Sequence, residues 1–204
     1  MKSSSSLVFA LLAAIEESIL PITRKAVLSG NPVFGAAVIS RKDLAVLTAA
    51  NNNATLSPIL HGEVNCIERF FTETFPDAAT RPQPGRDAIF LATHEPCSLC
   101  LSALAWSGFD EFYYLFTYEE NRRVFGFPGR DVGIIRDVFH LGDKTVSDEN
   151  MYSRENAFFK GRALADMVNG IEDEEQREKA RGEMERIKGL YEPVHREWKR
   201  VTGQ

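Results

Sequence analysis

The sequence predicts an α/β fold, and three observations carry that prediction. Short apolar runs of strand length alternate with longer segments of helical spacing along the first 140 residues. Proline, glycine and asparagine clusters separate these runs at short intervals. The composition is that of a globular protein, with 44% hydrophobic and 26% charged residues over 204 positions. This is enough chain for one domain, 1–204, with a sizeable core, and the charged stretch over about 150–204 reads as helical.

In order, a helix is expected from Ser6 to Leu28, bent at Pro21 and stopped by Ser29-Gly30-Asn31-Pro32. The N-terminus superficially resembles a signal peptide, but it has one Lys, no small-residue cleavage site, and Glu16-Glu17 directly after the apolar run. An amphipathic first helix is the better reading, and no stretch reaches membrane-spanning length. Phe34–Ser40 and Leu44–Ala49 read as a hairpin around Arg41-Lys42-Asp43. Ser57-Pro58 reads as an N-cap and first helical residue, opening a helix that carries His61 and Glu63 and runs to about Thr72. Pro76, Pro82, Pro84 and Gly85 mark a loop, and Ala88–Thr93 is a buried strand. Glu95-Pro96 opens a helix ended by Gly108, and Phe112–Thr117 is the next strand. Asp131–His140 is compatible with helix or strand, Gly142–Asn150 with a polar loop, and Tyr152–Val168 with a helix. Ile171–Arg200 is charged, with Met184, Ile187, Leu190, Tyr191, Val194 and Trp198 at helical spacing, and Glu172–Glu183 reads as a solvated face.

The chemistry concentrates in His61-Gly62-Glu63 and Pro96-Cys97-Ser98-Leu99-Cys100. His61, Cys97 and Cys100 are three ligands of the kind a catalytic zinc takes, leaving a fourth position open. Cys97 and Cys100 lie at i and i+3 on one helical face, where a helix N-terminus favours thiolate. His61 and Glu63 are about 200° apart around a helix, so both can face one metal only at its N-terminal end. Glu63 is the candidate for moving the protons of a zinc-activated water. A structural zinc would want a fourth protein ligand, and the spare Cys66 lies about 140° further round the helix from His61. Cys66 is therefore read as a small core residue. Three cysteines make no disulfide framework, and free thiolate ligands suit a reducing compartment, so a cytoplasmic location is expected.

The order helix, hairpin, H-x-E helix, strand, P-C-x-x-C helix, strand resembles the cytidine deaminase-like superfamily over roughly residues 7–140. Asn31-Pro32-Val33-Phe34-Gly35-Ala36 is similar to the segment before the first strand in nucleobase and tRNA adenosine deaminases. His61-Gly62-Glu63 resembles the form in fungal-type cytosine deaminases, and Thr93-His94-Glu95-Pro96-Cys97 the form in tRNA adenosine and guanine deaminases. Phe125-Gly126-Phe127 resembles a guanine deaminase segment, while Gly133-Ile134-Ile135-Arg136-Asp137-Val138 resembles one in tRNA adenosine deaminases. Ser57 and Ile59 depart from the Asp and Thr of many relatives.

The resemblance implies a three-layer α/β/α fold with a central mixed five-stranded sheet, here followed by extra C-terminal helices. It implies Zn²⁺, hydrolytic release of ammonia from a nucleobase, nucleoside or related heterocycle, and a homodimer. One of Asn51, Asn52 and Asn53, at the end of the second strand, is implied as a substrate contact, with Asn51 the first choice by position. Of Phe34, Trp106, Phe125 and Phe127, aromatics able to stack on a base, Phe125 and Phe127 are favoured, over core roles for the others. Glu95 is read either as a cap for the Cys97 helix or as a substrate contact. His94 is read as an ordinary loop histidine, and His140 and His195 as surface or core residues. A net charge of −5 disfavours a strong grip on nucleic acid. A tRNA adenosine deaminase and a non-catalytic partner subunit are the competing readings.

Overall fold

A computed structural model describes residues 4–127 and 129–204. A five-stranded sheet runs through its centre in the order β2-β1-β3-β4-β5. The strands are β1 (Gly35–Ser40), β2 (Val46–Asn51), β3 (Ala88–His94), β4 (Glu111–Phe116) and β5 (Lys160–Ala163). β1 pairs antiparallel with β2 and β3, whereas β3–β4 and β4–β5 are parallel, so the sheet is mixed.

Side-chain alternation divides the core into two layers. Ala37, Ile39, Ile89, Leu91, Tyr113 and Leu115 face one cluster, and Ala36, Val38, Phe90, Ala92, Phe112 and Tyr114 face the other. Because both faces are covered, β1 and β3 read as nearly unbroken apolar runs. The second layer is closed by α3 (Gly62–Arg69) and α5 (Ser98–Ser107), through Cys66, Ile67, Leu101 and Leu104. This is the three-layer α/β/α arrangement expected above.

The first layer is closed by α1 (Ser4–Ala14) and α2 (Leu20–Leu28), joined through the π turn Ile15–Ile19. Pro21 explains the turn. It has no N–H for the preceding turn of helix, and the wider π turn, in which the Leu20 N–H reaches the Ile15 carbonyl, takes up the mismatch. The continuous helix Ser4–Leu28 is, by length and composition, long and apolar enough to cross a membrane, contrary to the sequence expectation. Val8, Leu11, Leu12, Ile15, Ile19 and Leu20 are nevertheless buried in the protein's own core. Met1–Ser3 of the signal-like segment lie outside the described residues.

Four further elements complete the chain before the last helix: α4 (Pro84–Asp87), α6 (Tyr118–Phe125), α7 (Arg130–Ile134) and α8 (Leu164–Asn169). The ambiguous stretch 131–140 is helical, α7 running into a π turn at Ile135–Phe139. α9 (Glu174–Thr202) buries Met184, Ile187, Tyr191, Val194 and Trp198, and lies against α1 and α2. Its His195 Nε2 bonds the Phe125 carbonyl at 2.8 Å, placing it in the core.

Two expected boundaries are corrected. Ser57-Pro58 lies in turns, and the helix begins only at Gly62 because His61 is held in extended backbone. The stretch expected to be helical from Tyr152 to Val168 is instead a loop, the edge strand β5 and the short α8. Gly161 shows why β5 fits there. It sits opposite Phe112, and a Cβ on it would lie 2.3 Å from Phe112 Cζ. Gly161→Ala is expected to cost about 1–3 kcal/mol through overpacking, read as a lower denaturant midpoint with an unchanged slope.

Candidate metal centre and its cavity

Two helix N-termini meet at the site. His61 is the N-cap of α3, with φ −60° and ψ 160°. Cys97 is the N-cap of α5, with φ −69° and ψ 174°, and Cys100 lies in its first turn. His61 Nδ1 stands 3.4 Å from Cys97 Sγ and 3.6 Å from Cys100 Sγ, and the two sulfurs are 3.5 Å apart. Tetrahedral zinc with ordinary bond lengths separates two sulfurs by about 3.8 Å, and sulfur from nitrogen by about 3.5 Å. The donor set therefore fits that ion, and these three residues form the group that could hold one.

The geometric condition on His61 and Glu63 is met because His61 precedes the helix rather than standing inside it. Gly62 makes the approach possible: a Cβ there would sit 2.6 Å from the Phe34 carbonyl oxygen. Its N–H donates to Asn52 Oδ1 at 2.6 Å, tying the start of α3 to the end of β2.

Charge is concentrated here in little solvent. Glu63 is 6% exposed, and burial, with the Cys97 thiolate adding, pushes its carboxyl up to about 7. A hydrogen bond from Cys100, helped by His61, holds the Cys97 thiol down at about 4. Cys100 is pushed upward by burial and by donating its proton to Cys97. His61 is raised chiefly by its hydrogen bond with Cys97. Two sulfurs sharing a proton beside a buried carboxylate form a set that a dication would neutralise. Cys66 stands apart from it. Its thiol is pushed up to about 12 by burial and donates to the Thr48 carbonyl at 3.8 Å, as a core cysteine would.

His61, Glu63 and Cys97 open onto a cavity of about 540 Å³, within the range of small-molecule sites. Asn52, Asn121 and Asp131 add polar lining, and Phe34, Leu99, Phe127 and Ile134 add apolar walls. Of the residues implied as substrate contacts, Glu95 and Phe127 line the cavity. Two need correction. Asn51 has its amide spent elsewhere: Oδ1 accepts from Thr23 at 2.8 Å, and Nδ2 donates to the Pro32 carbonyl at 2.8 Å. Strand parity is the reason, since Ala50 faces the α3–α5 layer and Asn51 therefore turns toward α2. Its neighbour Asn52 reaches the cavity instead.

Phe125 is core, packed on Phe116 and His195. Glu95 contributes to the lining, but its carboxylate neither caps α5 nor stands free. It accepts from the Tyr118 N–H at 3.0 Å, from Tyr152 Oη at 3.1 Å, and from Arg154 Nη2 at 2.9 Å. His94 is no loop histidine. It ends β3, is buried and stacked on Phe116, and takes a Thr93 contact at 2.8 Å. Asn121 and Asp131 carried no motif that marks them. Only the folding of 118–127 and 129–134 over the helix ends brings them to the cavity.

The sequence profile of the cytidine and deoxycytidylate deaminase zinc-binding region matches residues 14–116. No curated protein sequence matches the chain. Among solved structures, a tRNA:A34 deaminase that edits the wobble position of transfer RNA is 22% identical, with a TM-score of 0.43, over 57% of this chain and 89% of that one. The guanine deaminase from Bacillus subtilis is 19% identical, with a TM-score of 0.46, over 69% of this chain and 94% of its own. The guanine deaminase from Nitrosomonas europaea is 15% identical, with a TM-score of 0.46, over 83% and 80%. The profile spans the hairpin, both helix starts that bear the donor atoms, and β3 and β4. The chain thus belongs to the cytidine and deoxycytidylate deaminase zinc-binding family and is a hydrolytic deaminase.

Proposed function

We propose that this deaminase acts on a free nucleobase, a nucleoside or a related small heterocycle, replacing an exocyclic amino group with a carbonyl. The observation that carries this reading is Glu63, a buried carboxylate beside three metal-ligand donors on the wall of a cavity of small-molecule size. In this reading His61, Cys97 and Cys100 hold Zn²⁺. When bound, the metal supplies a water acid enough to ionise near neutrality. Glu63 accepts a proton from the attacking water and passes it to the ring nitrogen next to the amino-bearing carbon. It then delivers a second proton to the departing amine. One water is consumed, the C–N bond breaks, and ammonia leaves.

Phe34 and Phe127, 4.8 Å apart between centroids on the cavity wall, suit the flat face of a heterocycle. The net charge of −5 supports a small substrate over tRNA. A homodimer belongs to the same reading: Trp106 on α5 is 92% exposed, an apolar surface that a second copy would cover. A cytoplasmic location belongs to it too, since the ligands must stay reduced.

The test is ammonia release by zinc-loaded protein from a panel of bases, nucleosides and nucleotides, with tRNA alongside and Glu63→Ala as control. Glu63-dependent release from one small compound is the expected result. Release from tRNA alone would replace the small-substrate reading with RNA editing. Silence throughout, with one zinc tightly bound, would point to the non-catalytic partner role.

A further inference from the structure

We infer that Asn121 reads the substrate, its side-chain amide hydrogen-bonding an edge of the heterocycle; this rests on the deaminase reading above. Asn121 lines the same cavity as His61, Glu63 and Cys97, and it is 4% exposed. Several polar groups around it have atoms committed, while His94 Nε2 on the same lining is, like Asn121 Oδ1, buried without a partner among the described residues. Asn52 Oδ1 takes the Gly62 N–H, and Glu95 takes Tyr118, Tyr152 and Arg154. Asp131 Oδ1 takes the Val132 N–H at 2.9 Å, and His94 Nδ1 is in contact with Thr93 Oγ1. Asn121 Oδ1 is enclosed and has no hydrogen-bond partner among the described residues. Buried side-chain polar atoms in folded proteins are bonded as a rule, so an unbonded amide oxygen on a residue that lines a binding cavity marks a position kept for a ligand.

The residue is also held in place. Thr117 and Glu120 form a reciprocal capping box at the start of α6. Tyr118 bonds Glu95 through its N–H and the Pro96 carbonyl through Oη, the latter at 2.6 Å. Asn121 therefore sits at a fixed distance from the Pro96–Cys97 turn rather than on a free loop. A primary amide offers an acceptor and a donor side by side. That pair matches a ring edge carrying N–H next to C=O or to an unprotonated ring nitrogen, the edge of a cyclic amide or amidine. Substrates lacking such an edge would be rejected.

The experiment compares zinc-loaded wild type with Asn121→Leu and Asn121→Asp, using the base or nucleoside that wild type turns over. Asn121→Leu is expected to lower kcat/KM by about 10- to 100-fold, mostly through KM, with zinc content unchanged. Its melting temperature is expected to hold or rise, because the substitution removes an unbonded buried amide oxygen. Asn121→Asp, which keeps acceptors and loses the donor, is expected to fall between the two. Calorimetric binding of the same compound to Glu63→Ala, with and without Asn121→Leu, gives a readout independent of turnover. Wild-type kinetics in Asn121→Leu would overturn the inference, as would a lower melting temperature with unchanged binding. Failure of the deaminase reading shows differently: wild type itself releases no ammonia, and the inference falls with it.

Discussion

Glu63→Ala is expected to lower turnover by about 10²- to 10⁴-fold while the protein keeps one zinc per chain. The carboxylate stands two residues from His61 but is not one of the three donors that could hold the ion. Its burial and its neighbourhood to Cys97 raise its proton affinity into the range where a group can both take and return a proton at neutral pH. Glu63→Gln keeps the shape and loses the proton traffic, so it should be as inactive as the alanine variant. Ammonia release beside metal analysis of the same samples checks both statements. An active Glu63→Gln would remove Glu63 from the chemistry.

Cys97→Ala is expected to lose zinc and, with it, much of the thermal stability. A metal bound only by the folded state stabilises it by about 4 kcal/mol when its concentration is a thousand times Kd. For a chain of this length that corresponds to a melting temperature about 8–16 °C lower. Cys66→Ala is the matched control. Its sulfur is buried 3.8 Å from the Thr48 carbonyl and lies outside the donor cluster, so it should cost packing energy and leave zinc in place. Metal content that survived Cys97→Ala unchanged would sink the ligand assignment.

The metal site was legible in the sequence because its chemistry leaves so few choices. An i, i+3 cysteine pair at a helix start and a histidine two residues before a glutamate fix ligand type and facing before any packing is known. The two-layer core was legible as well, in the apolar runs of β1 and β3. What stayed hidden depends on packing across the sheet. Lys160-Gly161-Arg162-Ala163 is short and half charged, and only the Phe112 ring opposite Gly161 makes it a strand. Asn51 and Asn52 are chemically identical neighbours, and only strand parity tells which of them faces the cavity. Glu95 looks like a helix cap or a ligand contact until Arg154, 59 residues later, arrives to pair with it. Phe125 and Phe127 are two residues apart, yet one is core and the other lines the cavity.

The packing of α1 and α2 against α9 bears on how the chain is made. About 145 residues separate the apolar N-terminal helices from the helix that covers them. At a synthesis rate of about 5–20 residues per second, that partner arrives roughly 7–30 s after the first helices leave the ribosome. During this interval the nascent chain carries an apolar helix of membrane-spanning length whose α9-facing side is uncovered.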